Sequence, residues 1–400
     1  MKHCFPYRQI GDVVSDVITW NPVRDGHNQL IRYIDLSSID QNTKVIHPNE
    51  PIVAREAPSR ARQLVQVGDI LVSTVRPNLN GVATVDEGLD GATASTGFCV
   101  LRPNKRELDE AYLFHWVKTP EFVSDMVRKS TGASYPAVSD RIILESKIPL
   151  PPIAQQKRIA AILDRAEELR SLRRQALGAL DAIVQSIFIE MFGGSAKRFD
   201  IVKIEDVADK SKYSLSSGPF GSNLTSKHYV ERGVPILRGL NVTSDRLSLE
   251  HLKFLSESKA KELSRSEVKP GDVVIVAVGS SGLAYEIPES LPRAIMSQNF
   301  NKITPDSKKV DKTYLTYCFN SLTTQDQVKQ KTTDTVRTFF SLTKLKTIQI
   351  PLPPLPLQKE FTRRIEAIEQ LKATHRESLA HLDALFASLQ HRAFRGELSP

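Results

Sequence analysis

Two triplets of the form Glu-x-Lys, Glu145-Ser146-Lys147 and Glu257-Ser258-Lys259, each have an aspartate upstream, Asp140 and Asp245. Together they are a crude version of the carboxylate metal site a nuclease would need. A chain that is 25% charged produces such triplets by chance. Glu145 and Glu257 also fall at non-equivalent places in the internal repeat described below, and Lys147 directly precedes a domain boundary. A methyltransferase would need a Gly-rich cofactor loop and an NPPY-like or DPPY-like motif, and the nearest fragment is Asn21-Pro22-Val23. A translocase would need GxxxxGK[ST] to cradle phosphates, and no Gly-Lys pair occurs. His228 and His251 read as surface residues rather than a metal pair. Cys4, Cys99 and Cys318 are too scattered for a disulfide framework or a CxxC site and fit a reducing cytoplasm. The chain therefore reads as non-catalytic, with no metal and no cofactor of its own.

Its charge points to a partner instead. A formal net charge of +8 favours a polyanion, because clustered Lys and Arg release counterions from phosphates. The longest wholly apolar run, Val273 to Val278, is far too short to span a membrane. The N-terminus lacks a signal-peptide core, so a cytoplasmic protein is expected.

The elements that must position any binding residues occur twice. IPLPP stands at Ile148 to Pro152 and again at Ile350 to Pro354, 202 positions on. At the same offset Gln156-Lys157 answers Gln358-Lys359, Leu180-Asp181-Ala182 answers Leu382-Asp383-Ala384, Tyr112-Leu113 answers Tyr314-Leu315, and Phe98 answers Phe300. GDILV from Gly68 answers GDVVIV from Gly271 at 203, and Ile10 to Val13 answers Ile204 to Val207 at 194. A period this long means duplication of a whole domain and its connector.

After each IPLPP, short β-rich runs give way to a long Pro-free stretch that reads as a helix. The first, Ala154 to Phe192, carries a seam of Ile159, Ile162, Ala166, Leu169, Arg173, Ala176, Leu180, Ile183 and Ile187. The second, Pro356 to Phe394, carries Phe361, Ile365, Ile368, Leu371, His375, Leu379, Leu382, Leu385 and Leu389. Arg173 and His375 are equivalent polar interruptions near the helix midpoints. In an antiparallel pair they should meet and fix register, unless both turn to solvent beside Leu172 and Leu177. The fold class expected is α+β: tandem-duplicated α+β domains at 1–152 and 196–354, with long helices at 153–195 and 355–400 forming an antiparallel coiled coil.

This arrangement resembles the specificity subunits of type I restriction-modification systems. The resemblance rests on the duplicated IPLPP, the following Gln-Lys, the long helices, and the helix ends FGG at Phe192 and FRGEL at Phe394. GPFGSNL at Gly218 to Leu224, then Gly233 to Arg238 and Asn241, looks like the opening of a target-recognition domain. The first half has no GPFGS-like segment, only Tyr33-Ile34-Asp35-Leu36 where the second has Leu237 to Leu240. The halves should therefore read different sequences. The resemblance implies that each domain reads one half of a split, asymmetric site in double-stranded DNA. It also implies two methyltransferase subunits bound on the helices and restriction/translocase subunits beyond them. S-adenosylmethionine, ATP and Mg²⁺ would then belong to those partners. The apolar positions Leu172, Leu177, Ile365 and Phe386 are candidates for partner contact, and Leu180 and Leu382 for the helix pair.

Base reading needs polar side chains on loops, with Arg to guanine and Asn or Gln to adenine as the favoured pairs. In the first half the candidates are Arg76, Asn78 and Asn80, then Ser134 and Tyr135, with the Arg24 to Asn28 loop a weaker one. In the second they are Ser217, Phe220, Ser222, Asn223, Arg238, Asn241, Ser280, Ser281, Thr335 and Arg337. Tyr135 and Arg337 are 202 apart. Most such contacts go to the DNA backbone rather than to bases. A two-module protein-interaction scaffold on a helical spacer, without a DNA role, is the competing reading, and salt-sensitive DNA affinity separates the two.

Overall fold

Each IPLPP closes a strand and opens a helix. In the computed structural model, which describes residues 5–398 except 133, 194–198, 243–246, 279–281 and 333–338, Lys147–Pro149 pairs antiparallel with Tyr7–Gln9. Gln349–Leu352 does the same with Asp200–Lys203. The two prolines cannot extend the strand ladder, and their fixed φ suits a helix start. The long helices follow as Ile153–Phe192 and Leu355–Phe394.

The chain forms two units, residues 1–176 with 375–400 and residues 177–374. In the first, a four-stranded antiparallel sheet runs Val14–Ser15, Phe98–Pro103, Ile70–Ser73, Val82–Thr84. In the second, the same order is Leu215–Ser217, Phe300–Ile303, Val273–Val276, Ala284–Glu286. Phe98 lies opposite Ser73 and Phe300 opposite Val276, so a 202 offset on one strand meets 203 on its neighbour. A further sheet holds the parallel pair Tyr33–Ile34 with Thr93–Ser95, matched by Val234–Leu237 with Ala294–Met296. Tyr33 and Ile34 thus correspond to Ile236 and Leu237. The sequence alignment of Tyr33 with Leu237 was one residue out, because a strand pairing fixes register where short polar turns do not.

The repeated short motifs are fastenings. Gln156 is fully buried: its Oε1 accepts from the Asp109 N–H at 2.9 Å, and its Nε2 donates to the Glu107 and Pro151 carbonyls at 2.8 Å. Gln358 repeats the pattern with Asp311, Lys309 and Pro353 at 2.8, 3.2 and 2.7 Å. Tyr112 Oη donates to the Pro149 carbonyl at 2.7 Å, and Tyr314 Oη to that of Pro351 at 2.8 Å. Gly68 and Gly271 take φ of +86° and +88°, a region glycine enters without penalty. Asp69 and Asp272 follow them and are buried. Asp69 accepts from the Gln66 N–H and from Arg102, and Asp272 from the Lys269 N–H and Thr304 Oγ1. The recurring Gly-Asp is therefore structural.

Within the first unit, the first half of the central helix runs antiparallel to the second half of the C-terminal helix. Ile159, Ala160, Leu163, Ala166, Phe386, Ala393 and Phe394 join one core there. The second unit is built the same way from Val184, Phe192, Phe361 and Ile365. Phe394 packs on Tyr112 and Trp116, each at 5.1 Å between centroids, and Phe192 on Tyr314 at 4.8 Å.

The seam differs from the expected one. Leu169, Ile183, Leu371 and Leu385 are exposed, and their neighbours Arg170, Val184, Lys372 and Phe386 face inward. The slip is identical in both helices, since these positions also lie 202 apart. Its cause is the aliphatic reach of Arg170 and Lys372, whose stems pack inward while their charges find Asp383 and Asp181, each at 2.6 Å. Arg170 also stacks on Phe386 at 4.5 Å. The central helix is long and apolar enough to cross a membrane, with a mean hydropathy of 1.3 over one 18-residue stretch. Its Val184, Phe188 and Phe192 nevertheless pack in the second core, while Ile183 and Ile189 face outward.

Candidate nucleic-acid interface

In the first unit the loop after Ile70–Ser73 is held at both ends. Thr74 donates through both N–H and Oγ1 to the Gly97 carbonyl at 2.9 Å, and the Arg76 N–H donates to the Pro136 carbonyl at 2.7 Å. Arg76 and Asn80 adopt left-handed conformations, φ +49° and +46°, flanking the single turn Pro77–Leu79. Thr131 and Val75 both bridge to Ala137, which fastens the Ser134-Tyr135 loop against it. Two loops some 55 residues apart in sequence therefore form one surface. On it the Arg76 guanidinium lies 4.7 Å from the centroid of the Tyr135 ring, and Tyr135 is 68% exposed. Asn78 and Ser134 are exposed as expected. Asn80 turns inward, donating to the Val117 carbonyl at 3.3 Å, while its own carbonyl accepts from Lys44 Nζ. Burial of Lys44 there pushes its ammonium below the usual lysine range. The weaker Arg24 to Asn28 loop is occupied locally, with Arg24 ion-paired to Asp25 at 2.7 Å.

In the second unit GPFGSNL leaves the edge strand Leu215–Ser217. A Cβ on Gly218 would sit 1.9 Å from the Ser297 carbonyl oxygen, so only glycine fits. Phe220, Ser222 and Asn223 are exposed on the turn that follows. Arg238 is half-buried: Nη2 donates to the His251 carbonyl at 2.9 Å and the guanidinium lies 6.0 Å from the Tyr229 ring. Leu240, beside it, is 83% exposed, a position that residue type alone did not mark.

Two expected readers are structural. Asn241 is buried, accepting from the Arg238 N–H at 3.1 Å and donating to the Glu250 carbonyl at 3.0 Å. It closes a helical turn, as Ser38 does with Asp35 in the first unit. Ser217 Oγ donates to Asn301 Oδ1 at 2.7 Å, a strand-to-strand contact. Asn241 thus serves the backbone of its turn, and Ser217 the side chain of the neighbouring strand. Ser280, Ser281, Thr335 and Arg337 lie outside the described residues. So does Asp245, upstream of the second triplet; of the triplets' own carboxylates, Glu145 pairs with Arg141 at 2.6 Å and Glu257 with Arg293 at 2.8 Å.

Residues 37–179 and 197–383 match the family described as type I restriction modification DNA specificity domain. The chain belongs to this specificity family. Its function is DNA sequence recognition, and the two matched stretches reproduce the duplication. It is 25% identical over 333 residues to the type I restriction enzyme MjaVIII specificity subunit of Methanocaldococcus jannaschii, covering 78% of this chain and 75% of that one. It is 22% identical to the EcoBI specificity subunit of Escherichia coli, covering 75% and 68%. The fold agrees with the S subunit of a type I restriction-modification system from M. genitalium, at 14% identity, 98% and 97% coverage and a TM-score of 0.57. A chain from a structure describing assembly of a type I R-M system gives 24% identity, 99% coverage of both chains and a TM-score of 0.56.

On the specificity-family helices, Arg173 and His375 meet, with Nη1 2.7 Å from Nδ1. Leu177, Leu180 and Leu382 are half-buried along the pair. Ile365 and Phe386 lie inside the unit cores, so neither presents a surface to a partner; aromatic and β-branched side chains at those depths fill the core first. Leu172 remains exposed.

Proposed function

We propose that this chain is the non-catalytic recognition subunit of a type I restriction-modification assembly. Each unit reads one half of a split, asymmetric site in duplex DNA. The observation that carries the reading is a contrast between the two units. Their fastenings repeat residue for residue, from Gln156 and Gln358 to Tyr112 and Tyr314, whereas their exposed loops differ. Arg76 with Tyr135 stands on one, and Phe220, Ser222 and Asn223 on the other. A shared scaffold with divergent polar loops suits the reading of unlike half-sites.

Two methyltransferase subunits would bind along the helices, at surfaces including Leu172, Ile183 and Ile189, and restriction/translocase subunits would join through them. S-adenosylmethionine, ATP and Mg²⁺ would be held by those partners, and the complex would act in the cytoplasm. A 40-residue helix is about 60 Å long, and we take that length to set the unread spacer.

Equilibrium binding to duplex DNA, with the chain assembled with its methyltransferase, tests the reading. Affinity should fall linearly on a log-log plot against salt, with one sequence preferred. A DNA affinity indifferent to salt and sequence would return the chain to the scaffold class.

A further inference from the structure

Resting on the proposed DNA reading, we infer that Arg76 and Tyr135 together form a guanine-reading device. In it Tyr135 holds the Arg76 guanidinium plane in the orientation needed to meet O6 and N7 of one guanine in the half-site of the first unit.

Four features of the surface carry this. First, Arg76 sits at φ +49°, a conformation an arginine rarely adopts, and the Pro136 carbonyl holds it there. Asn80 closes the same turn at φ +46°. Two such residues bracketing three positions fix the direction in which Arg76 leaves the backbone, and local strain of this kind accumulates at binding sites. Second, the charge has been left free. No carboxylate lies within ion-pair distance of Arg76 among the described residues, although Arg102, Arg128 and Arg141 of the same unit are all paired.

Third, the guanidinium is 4.7 Å from the Tyr135 ring, close enough for stacking, which orients a planar cation without consuming its donors. A lysine could supply charge and rotatable N–H donors here, but not the rigid planar fork that stacking on Tyr135 can hold edge-on to guanine. Fourth, Tyr135 is a large exposed aromatic on a loop fastened to the arginine's own loop, through the bridge of Val75 to Ala137. The second unit has no such pair among its described residues: Arg238 is engaged by the His251 carbonyl and lies farther from its aromatic neighbour, at 6.0 Å.

The experiment uses the full chain assembled with its methyltransferase and compares four forms: wild type, R76K, R76A and Y135A. Single-molecule methylation sequencing, with competition binding on duplexes substituted one base pair at a time, reads the outcome. R76K should keep overall DNA affinity and its salt dependence but lose discrimination at one G·C pair by roughly tenfold to a hundredfold, leaving the other half-site untouched. R76A should relax the same pair and Y135A should relax it less.

Several results would overturn the inference. One is an R76K protein with unchanged discrimination at every position. Another is a uniform loss of affinity across all sequences in R76A with discrimination intact, which marks a phosphate contact. Should R76A or Y135A unfold, R76K decides alone. A wild-type complex with no split motif at all would instead remove the DNA reading on which the inference rests.

Discussion

Arg170 Nε lies 2.6 Å from Asp383 in the first unit, and Lys372 Nζ lies 2.6 Å from Asp181 in the second. Each residue of one pair is 202 positions from its counterpart in the other. The duplicated helix pair thus keeps an inward cation matched to a carboxylate on the facing helix half, with the cation free to be Arg or Lys. Inward placement also explains why Leu169 and Leu371 are displaced outward.

Arg173 and His375 occupy the next position along the first unit's helix pair. If they fix register, R173L/H375L will retain helix content yet lose monodispersity in sedimentation, since apolar seams tolerate several alignments. A double mutant as stable and monodisperse as wild type would remove the register role.

Gln156 joins three backbone groups with one buried side chain, so Gln156→Ala leaves those groups without partners. The expected loss is about 3 kcal/mol in urea unfolding, with amides around Asp109 exchanging first. Gln358→Ala should do the same around Asp311. A loss below about 1 kcal/mol would mean that water replaces the side chain.

Phe394 and Phe192 anchor opposite helix ends in equivalent aromatic clusters. Phe394→Ala should cost about 3–5 kcal/mol and lower the melting temperature of the first unit while the second, held by Phe192 on Tyr314 and Phe361, is unaffected. Calorimetry should show one transition moving. Equal movement of both would show that the units do not melt separately.

His115 is buried beside Asp164, at 2.7 Å, with its Nδ1 unpartnered. Burial lowers its value from the ordinary 6.5, and the hydrogen bond His115 donates to Asp164, with the charges of Asp164 and Glu167, only partly offsets this, while Lys118 adds to the lowering. The unfolded chain therefore takes up the proton first. Stability present above pH 6.5 should decline as pH falls toward the folded-state value. Melting temperatures between pH 5 and 7.5 should show this slope, and His115→Gln should flatten it. An unchanged slope in that variant would assign the effect to other groups.

The sequence disclosed the architecture because duplication writes the same fastening twice. Gln156 and Gln358, Tyr112 and Tyr314, and the Gly-Asp turns stand out as repeats from residue type and spacing alone, without their hydrogen bonds. It misplaced the seam because hydropathy alone cannot anticipate Arg170 and Lys372 burying their stems. It marked Asn241 as a base reader because a short amide suits adenine's edge as well as it suits a turn closure, and only tertiary packing separates the two. Arg76 and Tyr135 were each marked, but their stacking depends on the Val75 to Ala137 bridge, which no spacing in the chain announces.

The central claim is that two units of this chain read two halves of one site. It is tested most directly by single-molecule methylation sequencing of DNA from cells carrying the chain and its methyltransferase. Residues 196–350 would be exchanged for those of a second family member. A split motif that appears only with the chain, and changes in one half alone after the exchange, is the result predicted here. Methylation indifferent to both the chain and the exchange, with an active methyltransferase present, would contradict it.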